Sequence, residues 1–130
     1  MIKRIGIIGL GRVGEATVNS LKKYSSLIKK RTSLKIEIKG VCDKRKSKSR
    51  IAKKYGIFFT TNPFKLINDP KIDIIVELIG GIEPARQFIE SALKNKKDIV
   101  TANKALLAEF GNKIFSLADR KKRAIGFEAS

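Results

Sequence analysis

Short apolar runs alternate along this chain with segments in which apolar residues recur every three or four positions. Continuous apolar runs are typical of strands buried on both faces of a parallel sheet, and the longer period is typical of helices that pack on it. The runs predict six strands, at residues 2–8, 36–42, 57–61, 72–78, 99–100 and 124–127. Because strands and helices alternate with short connections, we predict an α/β fold with a doubly wound parallel sheet in the strand order 3-2-1-4-5-6.

The first predicted helix follows the first strand and directs one apolar face at the sheet. The residues of that face are Val13, Thr17, Leu21, Tyr24 and Ile28. We expect this helix to run to about Lys23 or one turn beyond, and residues 29–34, which are mostly polar and basic, to form a loop. Gly56 is expected to end the second helix, whereas Asn62 followed by Pro63 is typical of the beginning of the third.

Three glycines join the first strand to the first helix with the spacing G-x-G-x-x-G, at Gly9, Gly11 and Gly14. In a dinucleotide-binding turn the first permits the tight turn, the second lets the backbone approach a pyrophosphate, and the third lets helix and strand pack closely. The free N–H groups at the start of the helix would face the phosphates. Arg12 and Val13 lie inside this turn, and Arg12 could reach a cofactor phosphate or point into solvent. The motif predicts a Rossmann-type dinucleotide site, with a purely structural turn as the alternative.

An acidic residue, Asp43, stands at the carboxyl end of the second predicted strand, where Rossmann folds place a ligand of the adenosine ribose. A carboxylate there favours NAD, whereas the adjacent cations of Lys44 and Arg45 could pair with the 2′-phosphate of NADP. The distance from the glycines along the chain is longer than the usual twenty or so residues. The sequence predicts a cofactor contact at these three residues, leaves NAD and NADP open, and also allows Asp43 to be an ordinary turn or cap residue.

The chain is strongly basic, with 29 Lys and Arg against 12 Asp and Glu and a formal charge of +17. Such a balance raises the question of nucleic-acid binding. The basic residues are scattered, however, mostly where predicted helices end, and cations there complement the helix dipole. Only 7% of residues are aromatic, and none is interleaved with the basic clusters as a base-stacking platform requires. We therefore expect solvated basic surfaces and do not predict nucleic acid as the main partner.

The chain contains no histidine, and its single cysteine is Cys42. The absence of histidine excludes zinc sites that contain it, Ser-His-Asp triads and histidine general bases from these 130 residues. One cysteine forms no internal disulfide, and we expect Cys42 to fill space at the end of the second strand. Any chemistry here must use lysine, carboxylates or backbone groups.

The length of 130 residues predicts one nucleotide-binding domain over residues 1–130. No apolar run approaches the roughly 18 residues that a membrane-spanning helix needs, so we expect no membrane partner. The chain enters its first strand directly from Met1 without the apolar core of a signal peptide. A cytoplasmic location is therefore predicted.

Three further segments carry a resemblance to a known family. They read E-L-I-G-G-I-E-P-A at residues 77–85, V-T-A-N-K-A-L at 100–106 and F-E-A-S at 127–130. In this order, and together with the glycine turn, they resemble the nucleotide-binding half of homoserine dehydrogenase over essentially the whole chain. The resemblance implies oxidation of L-homoserine by NAD(P)⁺ to L-aspartate 4-semialdehyde, or the reverse, in the biosynthesis of threonine, methionine and isoleucine.

The resemblance also implies roles for particular residues. It implies that Gly9, Gly11 and Gly14 contact the pyrophosphate and that Asp43 contacts the ribose. It implies that Gly80 passes near the nicotinamide and that Ala102 and Asn103 line the cofactor pocket. Lys104 would face the reacting oxygen, and Glu128 would contact substrate and a monovalent cation. A lysine suits the catalytic role of Lys104, because alcohol oxidation must shed a proton and an amine can exchange one or stabilise an alkoxide. A solvated lysine at a helix start is the alternative.

The family pattern also contains a region that binds substrate and forms a homodimer, and it is expected after Ser130, outside this sequence. The rest of the active site and the remaining ligands of the cation site would lie there. These 130 residues are therefore expected to bind NAD(P) without efficient turnover, and homoserine would bind only with that region.

Two alternative functions remain open from the sequence. One is the cofactor domain of another two-domain dehydrogenase of the glucose-fructose oxidoreductase type, although that family usually has Glu-Lys-Pro where this chain has Asn103, Lys104 and Ala105. The other is a non-catalytic nucleotide-sensing or nucleic-acid-binding protein, for which steep salt dependence would be diagnostic.

Overall fold

The computed structural model describes residues 1–127 of the chain. Its strands are β1 (Ile2–Ile8), β2 (Lys35–Cys42), β3 (Phe58–Thr60), β4 (Ile74–Glu77), β5 (Asp98–Thr101) and β6 (Ile125–Phe127). Its α-helices are α1 (Arg12–Thr32), α2 (Ser49–Tyr55), α3 (Phe64–Ile67), α4 (Ala85–Lys94) and α5 (Lys104–Lys121), with a 3₁₀ turn at Lys46–Lys48. Within these residues, no helix has the length and apolar character needed to cross a membrane.

The six strands form one parallel sheet in the order β3-β2-β1-β4-β5-β6. This confirms the predicted doubly wound Rossmann-type α/β fold. Neighbouring residues of a strand point to opposite faces, so Ile7 packs into one hydrophobic layer and Ile8 into the other. The layer that contains Ile7 lies under α1 and α2, and the layer that contains Ile8 lies under α3, α4 and α5. The carboxyl ends of all six strands consequently meet at one edge.

Helix α1 differs from its prediction in length and in orientation. It continues to Thr32, so residues 29–32 are helical rather than a loop, and the Ser33 N–H donates to Lys29 O at its end. Lysine and arginine are good helix formers, and at a carboxyl terminus they are also favoured by the dipole. The predicted apolar face was wrong in part, because Val13 is 59% exposed and Tyr24 is 46% exposed. The helix is instead buried at Gly14 and Val18.

The ends of the shorter helices follow the sequence signals. Gly56 adopts a left-handed conformation with φ of 66° and ends α2, as predicted. Helix α3 begins at Phe64 with Pro63 at its N-cap, one residue later than an Asn62 cap followed by a helical Pro63 predicts. The Asn62 side chain still accepts a hydrogen bond from the Phe64 N–H at 3.0 Å. Helix α3 has only four residues.

A buried lysine closes the amino-terminal edge of the sheet. Lys97, just before β5, is only 3% exposed, and its Nζ donates to the carbonyl oxygens of Asp69 and Ile72, the latter at 2.7 Å. Burial lowers the pKa of this ammonium, although Asp69 and Asp73 oppose the effect. Lys97 therefore ties the α3–β4 connection to β5 at the edge opposite the glycine turn.

Candidate functional site

The glycine turn has a geometry that only glycine permits at two of its positions. Gly9 has φ of 109°, and a Cβ atom there would lie 2.8 Å from the Leu78 carbonyl carbon. A Cβ on Gly14 would lie 1.9 Å from the carbonyl oxygen of Gly9, because α1 begins directly against the turn. The Gly9 N–H also donates to Cys42 O at 2.8 Å, which joins the turn to the end of β2. The first and third glycines therefore have the structural roles that the motif predicted.

The second glycine, Gly11, has open space beside it. A Cβ on Gly11 would meet only the Arg45 guanidinium, at 4.0 Å. Gly11 is also the N-cap of α1 and brings no side-chain hydrogen bond to the helix. The first N–H groups of a helix have no acceptor within it and attract anions. Arg12 and Val13, in this first turn, are exposed. The turn thus combines a close-approach position with free backbone donors.

A cleft of about 470 Å³ lies beside the turn at the carboxyl ends of the strands. Six of the residues predicted to contact a cofactor line it, namely Gly9, Gly11, Asp43, Lys44, Arg45 and Gly80. Thr61 and Pro63, which follow β3, and Glu83, Pro84 and Phe88 around the start of α4 complete much of its wall. The cleft therefore crosses from the end of β2 to the end of β4, on either side of β1. This is the switch point at which doubly wound sheets bind ligands.

Asp43 and Arg45 form an ion pair at the β2 end of the cleft. Asp43 is 6% exposed, and its Oδ1 accepts from the Arg45 N–H and from Arg45 Nε, both at 2.9 Å. Its Oδ2 accepts from the Leu10 N–H at 2.9 Å and from Arg45 Nη2 at 3.1 Å. Burial raises the pKa of Asp43, but the hydrogen bonds and charge of Arg45, with the Leu10 N–H, outweigh burial and hold it at about 2. The carboxylate thus stabilises the glycine turn through Leu10.

A second buried carboxylate, Glu77, directly precedes the residues that line the other end of the cleft, and no sequence pattern predicted a role for it. Glu77 ends β4 and is 1% exposed. Its Oε2 accepts from the N–H groups of Ile79 and Gly80, at 2.9 and 3.0 Å. Its Oε1 accepts from the Thr101 hydroxyl at 2.6 Å. An acidic residue within an apolar, doubly buried strand was the signal in the sequence that could have identified it.

The segment after β5 lies beside this second carboxylate. Asn103 is buried, and its side chain accepts from the Leu106 N–H at 3.1 Å and donates to Gly81 O, so it caps α5 and binds the β4 loop. Ala102 and Lys104 are exposed at the start of α5. None of these three residues is among those that line the 470 Å³ cleft. Glu128, the predicted substrate and cation contact, lies outside the described residues.

Cys42 and the acidic residues provide no metal centre in the described part of the chain. Cys42 is buried beside the cleft, and burial, with the nearby charge of Asp43, raises the pKa of its thiol to about 12. A thiol with such a pKa is a poor nucleophile, which agrees with the predicted space-filling role. Over residues 1–127, no cluster of three or more His, Cys, Asp or Glu side chains could hold a metal ion.

Comparison with known proteins places this arrangement in a family. The family model described as "Homoserine dehydrogenase, NAD binding domain" matches residues 9–128. The homoserine dehydrogenase of Neisseria gonorrhoeae is 39% identical over 97% of this chain, and that of Bacillus subtilis is 35% identical over 98%. In each case the match covers 29% of the relative. The chain therefore spans less than a third of the length of these curated relatives.

Solved structures give the same result. The crystal structure of a homoserine dehydrogenase from Thiobacillus denitrificans superimposes with a TM-score of 0.92 at 41% identity, and the match covers 99% of this chain and 30% of that one. A hyperthermophilic archaeal homoserine dehydrogenase in complex with NADPH shares the fold, with a TM-score of 0.78 at 20% identity over 99% of this chain and 44% of that one. With a family model that matches most of its length, the chain belongs to the homoserine dehydrogenase family and corresponds to its NAD-binding domain.

Proposed function

We propose that this domain binds NAD(P)(H) in the 470 Å³ cleft and supplies the cofactor half of a homoserine dehydrogenase. The observation that carries the proposal is the glycine turn. Gly9 and Gly14 leave no space for a side chain, whereas Gly11 faces open space at the first turn of α1. A turn that only had to reverse the chain would not need this open, donor-rich position in a cleft at the topological switch point.

The cleft supports an assignment of the two halves of the cofactor. The pyrophosphate would lie against Gly11 and the first turn of α1, with Arg12 and Val13 beside it. In Rossmann folds the adenosine ribose lies at the end of the second strand, so the adenosine half would lie near Asp43, Lys44 and Arg45. The nicotinamide half would then extend past Gly80 towards Ala102 and Asn103.

The contacts of Asp43 favour NADP(H) over NAD(H). Both of its carboxylate oxygens already accept hydrogen bonds from Arg45 or Leu10, so Asp43 is less available to the two ribose hydroxyls of NAD. The side chain of Arg45 is half exposed and lines the cleft together with Lys44. These two cations are suited to the 2′-phosphate of NADP. We therefore infer a preference for NADPH, which the sequence alone left open.

For the whole enzyme we propose oxidation of L-homoserine to L-aspartate 4-semialdehyde, or the reverse, in the biosynthesis of threonine, methionine and isoleucine. The bound cofactor would accept or supply the hydride. Lys104, at the start of α5, would accept the hydroxyl proton or stabilise the alkoxide. Glu128 would contact substrate and a monovalent cation. Substrate binding and homodimer formation would depend on the part of the relatives that this chain does not cover. The whole enzyme would be cytoplasmic.

Isothermal titration of the domain with NADPH and NADH tests the cofactor proposal. We expect saturable binding of both, with NADPH the tighter ligand. Gly11→Ala should retain the folded circular-dichroism spectrum and weaken NADPH at least about tenfold, because its new methyl group occupies the space of the pyrophosphate.

Gly111→Ala in α5 makes the same chemical change in open space away from the cleft and should bind NADPH like wild type. Absence of heat with either cofactor would refute the proposal, as would a Gly11→Ala domain that binds normally.

A further inference from the structure

The β4 loop and the start of α5 are joined by a closed ring of hydrogen bonds around Glu77. On one side, Glu77 Oε2 accepts from the backbone of Ile79 and Gly80. On the other, Glu77 Oε1 accepts from the Thr101 hydroxyl, and Thr101 Oγ1 in turn accepts from the Asn103 N–H at 3.0 Å. The Asn103 amide then donates to Gly81 O, which closes the ring.

The ring contains a carboxylate, and burying a carboxylate costs more free energy than filling the same space with an apolar side chain. Glu77 is almost fully buried, and no salt bridge involving it is found among the described residues. Burial of a carboxylate without a cation is expensive, and here only hydrogen bonds offset the cost. Two of the three donors come from the loop that follows β4. The carboxylate therefore depends on that loop as much as the loop depends on it.

The loop needs such support because of its own backbone. Gly80 and Gly81 have φ of 75° and 71°, and a Cβ on either would meet nothing within 4 Å. Glycine is the most flexible residue, and this pair has no packing contact on that side to hold its conformation. The hydrogen bonds that this loop donates to Glu77 and accepts from Asn103 thus restrain it locally, and the loop lines the cleft opposite Arg45.

We propose that Glu77 is a positioning residue that, through Thr101 and Asn103, holds the Gly80–Gly81 loop and so orients the nicotinamide half of the cofactor relative to Lys104. The inference rests on the proposed function, since it requires a dinucleotide in the cleft. Glu77 touches neither half of the cofactor in this scheme. Its effect is restricted to one end of the cleft, because the adenosine end is held separately by Asp43.

That restriction provides the test. The domain is titrated with NADPH and with 2′,5′-ADP, which contains the adenosine half without the nicotinamide; if wild type binds only NADH, NADH and ADP replace them. In Glu77→Gln one of the two carboxylate oxygens becomes an NH2 group, so either the Thr101 hydroxyl or the N–H groups of Ile79 and Gly80 lose their acceptor. We therefore expect NADPH to bind about tenfold more weakly, while 2′,5′-ADP binds within about twofold of wild type. The fluorescence of NADPH bound to Glu77→Gln should also be closer to that of free NADPH than the fluorescence of NADPH bound to wild type.

Two variants of Thr101 keep the test valid if a Glu77 variant fails to fold. Thr101→Val removes the hydroxyl from the ring and should reproduce the selective loss of NADPH affinity. Thr101→Ser retains the hydroxyl and should bind NADPH with an affinity close to that of wild type. Lys97→Met removes a comparably buried polar side chain at the opposite edge of the sheet, and it should lower stability without changing the NADPH to 2′,5′-ADP affinity ratio.

The outcomes separate the two proposals. A wild-type domain that binds neither cofactor nor fragment would overturn the proposed function and this inference with it. If the wild-type domain binds both NADPH and 2′,5′-ADP, the proposed function stands. The inference alone would be overturned if Glu77→Gln and Thr101→Val weakened both ligands equally or weakened neither. The same holds if Lys97→Met changes the affinity ratio as much as Glu77→Gln does.

Discussion

The two ends of the cleft each hold a backbone loop with a buried carboxylate, but they stabilise that carboxylate differently. Asp43 accepts the Leu10 N–H of the glycine turn and is paired with the guanidinium of Arg45. Glu77 accepts the N–H groups of Ile79 and Gly80 and is completed by the Thr101 hydroxyl. One end therefore relies on charge pairing and the other on neutral hydrogen-bond donors.

This difference matches what each half of a dinucleotide requires. In the proposed binding mode the Asp43 end would hold the adenosine half and attract phosphate groups, and the half-exposed Arg45 can face both Asp43 and a ligand. In the same proposal the Glu77 end would fix the position of the nicotinamide ring for hydride transfer, for which a rigid, buried network is better suited than mobile surface charges. We expect acid and salt to change stability and ligand binding at the Asp43 end. We expect the loss of a hydrogen-bond partner to change ligand binding at the Glu77 end.

The largest effect is expected from a substitution in the glycine turn, which lies between the two ends of the cleft. Gly14→Ala would place a methyl group 1.9 Å from the Gly9 carbonyl oxygen, a contact with backbone that cannot relax. We expect a loss of about 3 kcal/mol in the free energy of unfolding, measured by urea denaturation. Binding of NADPH and of 2′,5′-ADP should fall together. Gly111→Ala is the control, and a Gly14→Ala domain within about 1 kcal/mol of wild type would contradict this packing.

A smaller effect, confined to the Asp43 end of the cleft, is expected from acid. Because the folded state holds the pKa of Asp43 at about 2, below its ordinary value, the stability it contributes is present above about pH 4 and is lost as pH falls towards 2. Screening of the half-exposed Arg45 limits the contribution to about 1 to 2 kcal/mol. Asp43→Asn should lose this amount at neutral pH and should show a flatter stability profile between pH 4 and 2.

Urea denaturation at several pH values measures both effects of Asp43→Asn. Asp119→Asn, an exposed acid of α5, provides a control with the same change of side chain. If the Asp43→Asn profile keeps the slope of wild type over this range, the Asp43–Arg45 pair does not contribute to acid stability.

The smallest effect is expected from Arg45→Ala and concerns ligand preference. Removal of the guanidinium should weaken NADPH about fivefold and NADH about twofold or less, and should reduce the salt dependence of NADPH binding. Isothermal titration at two ionic strengths provides the measurement. Arg120→Ala removes the same charge at the far end of α5 and should leave both affinities unchanged. An equal loss for the two cofactors would mean that Arg45 does not contact the 2′-phosphate.

Local signals predicted most of the elements but not how each helix faces the sheet. The apolar runs and the glycine spacing indicated the strands and the turn, because these depend on periodicity and on single positions such as Gly14 and Gly56. The strand order followed from the alternation of strands and helices with short connections. The orientation of α1 was mispredicted, since Val13 has the right spacing for burial but close contact at Gly14 turns the helix so that Val13 is exposed. Its length was underestimated because a basic stretch fits a loop or a helix end equally well.

The sequence by itself determined the fold class, the dinucleotide turn and the family resemblance, because each depends on short local segments and on their order along the chain. Only the tertiary structure decided what the two carboxylates do. Asp43 contacts Leu10 across 33 positions of sequence, and Glu77 contacts Thr101 across 24. Hydrogen bonds of this kind exist only after parallel strands bring their carboxyl ends to one edge of the sheet, so no local pattern records which acid meets which donor.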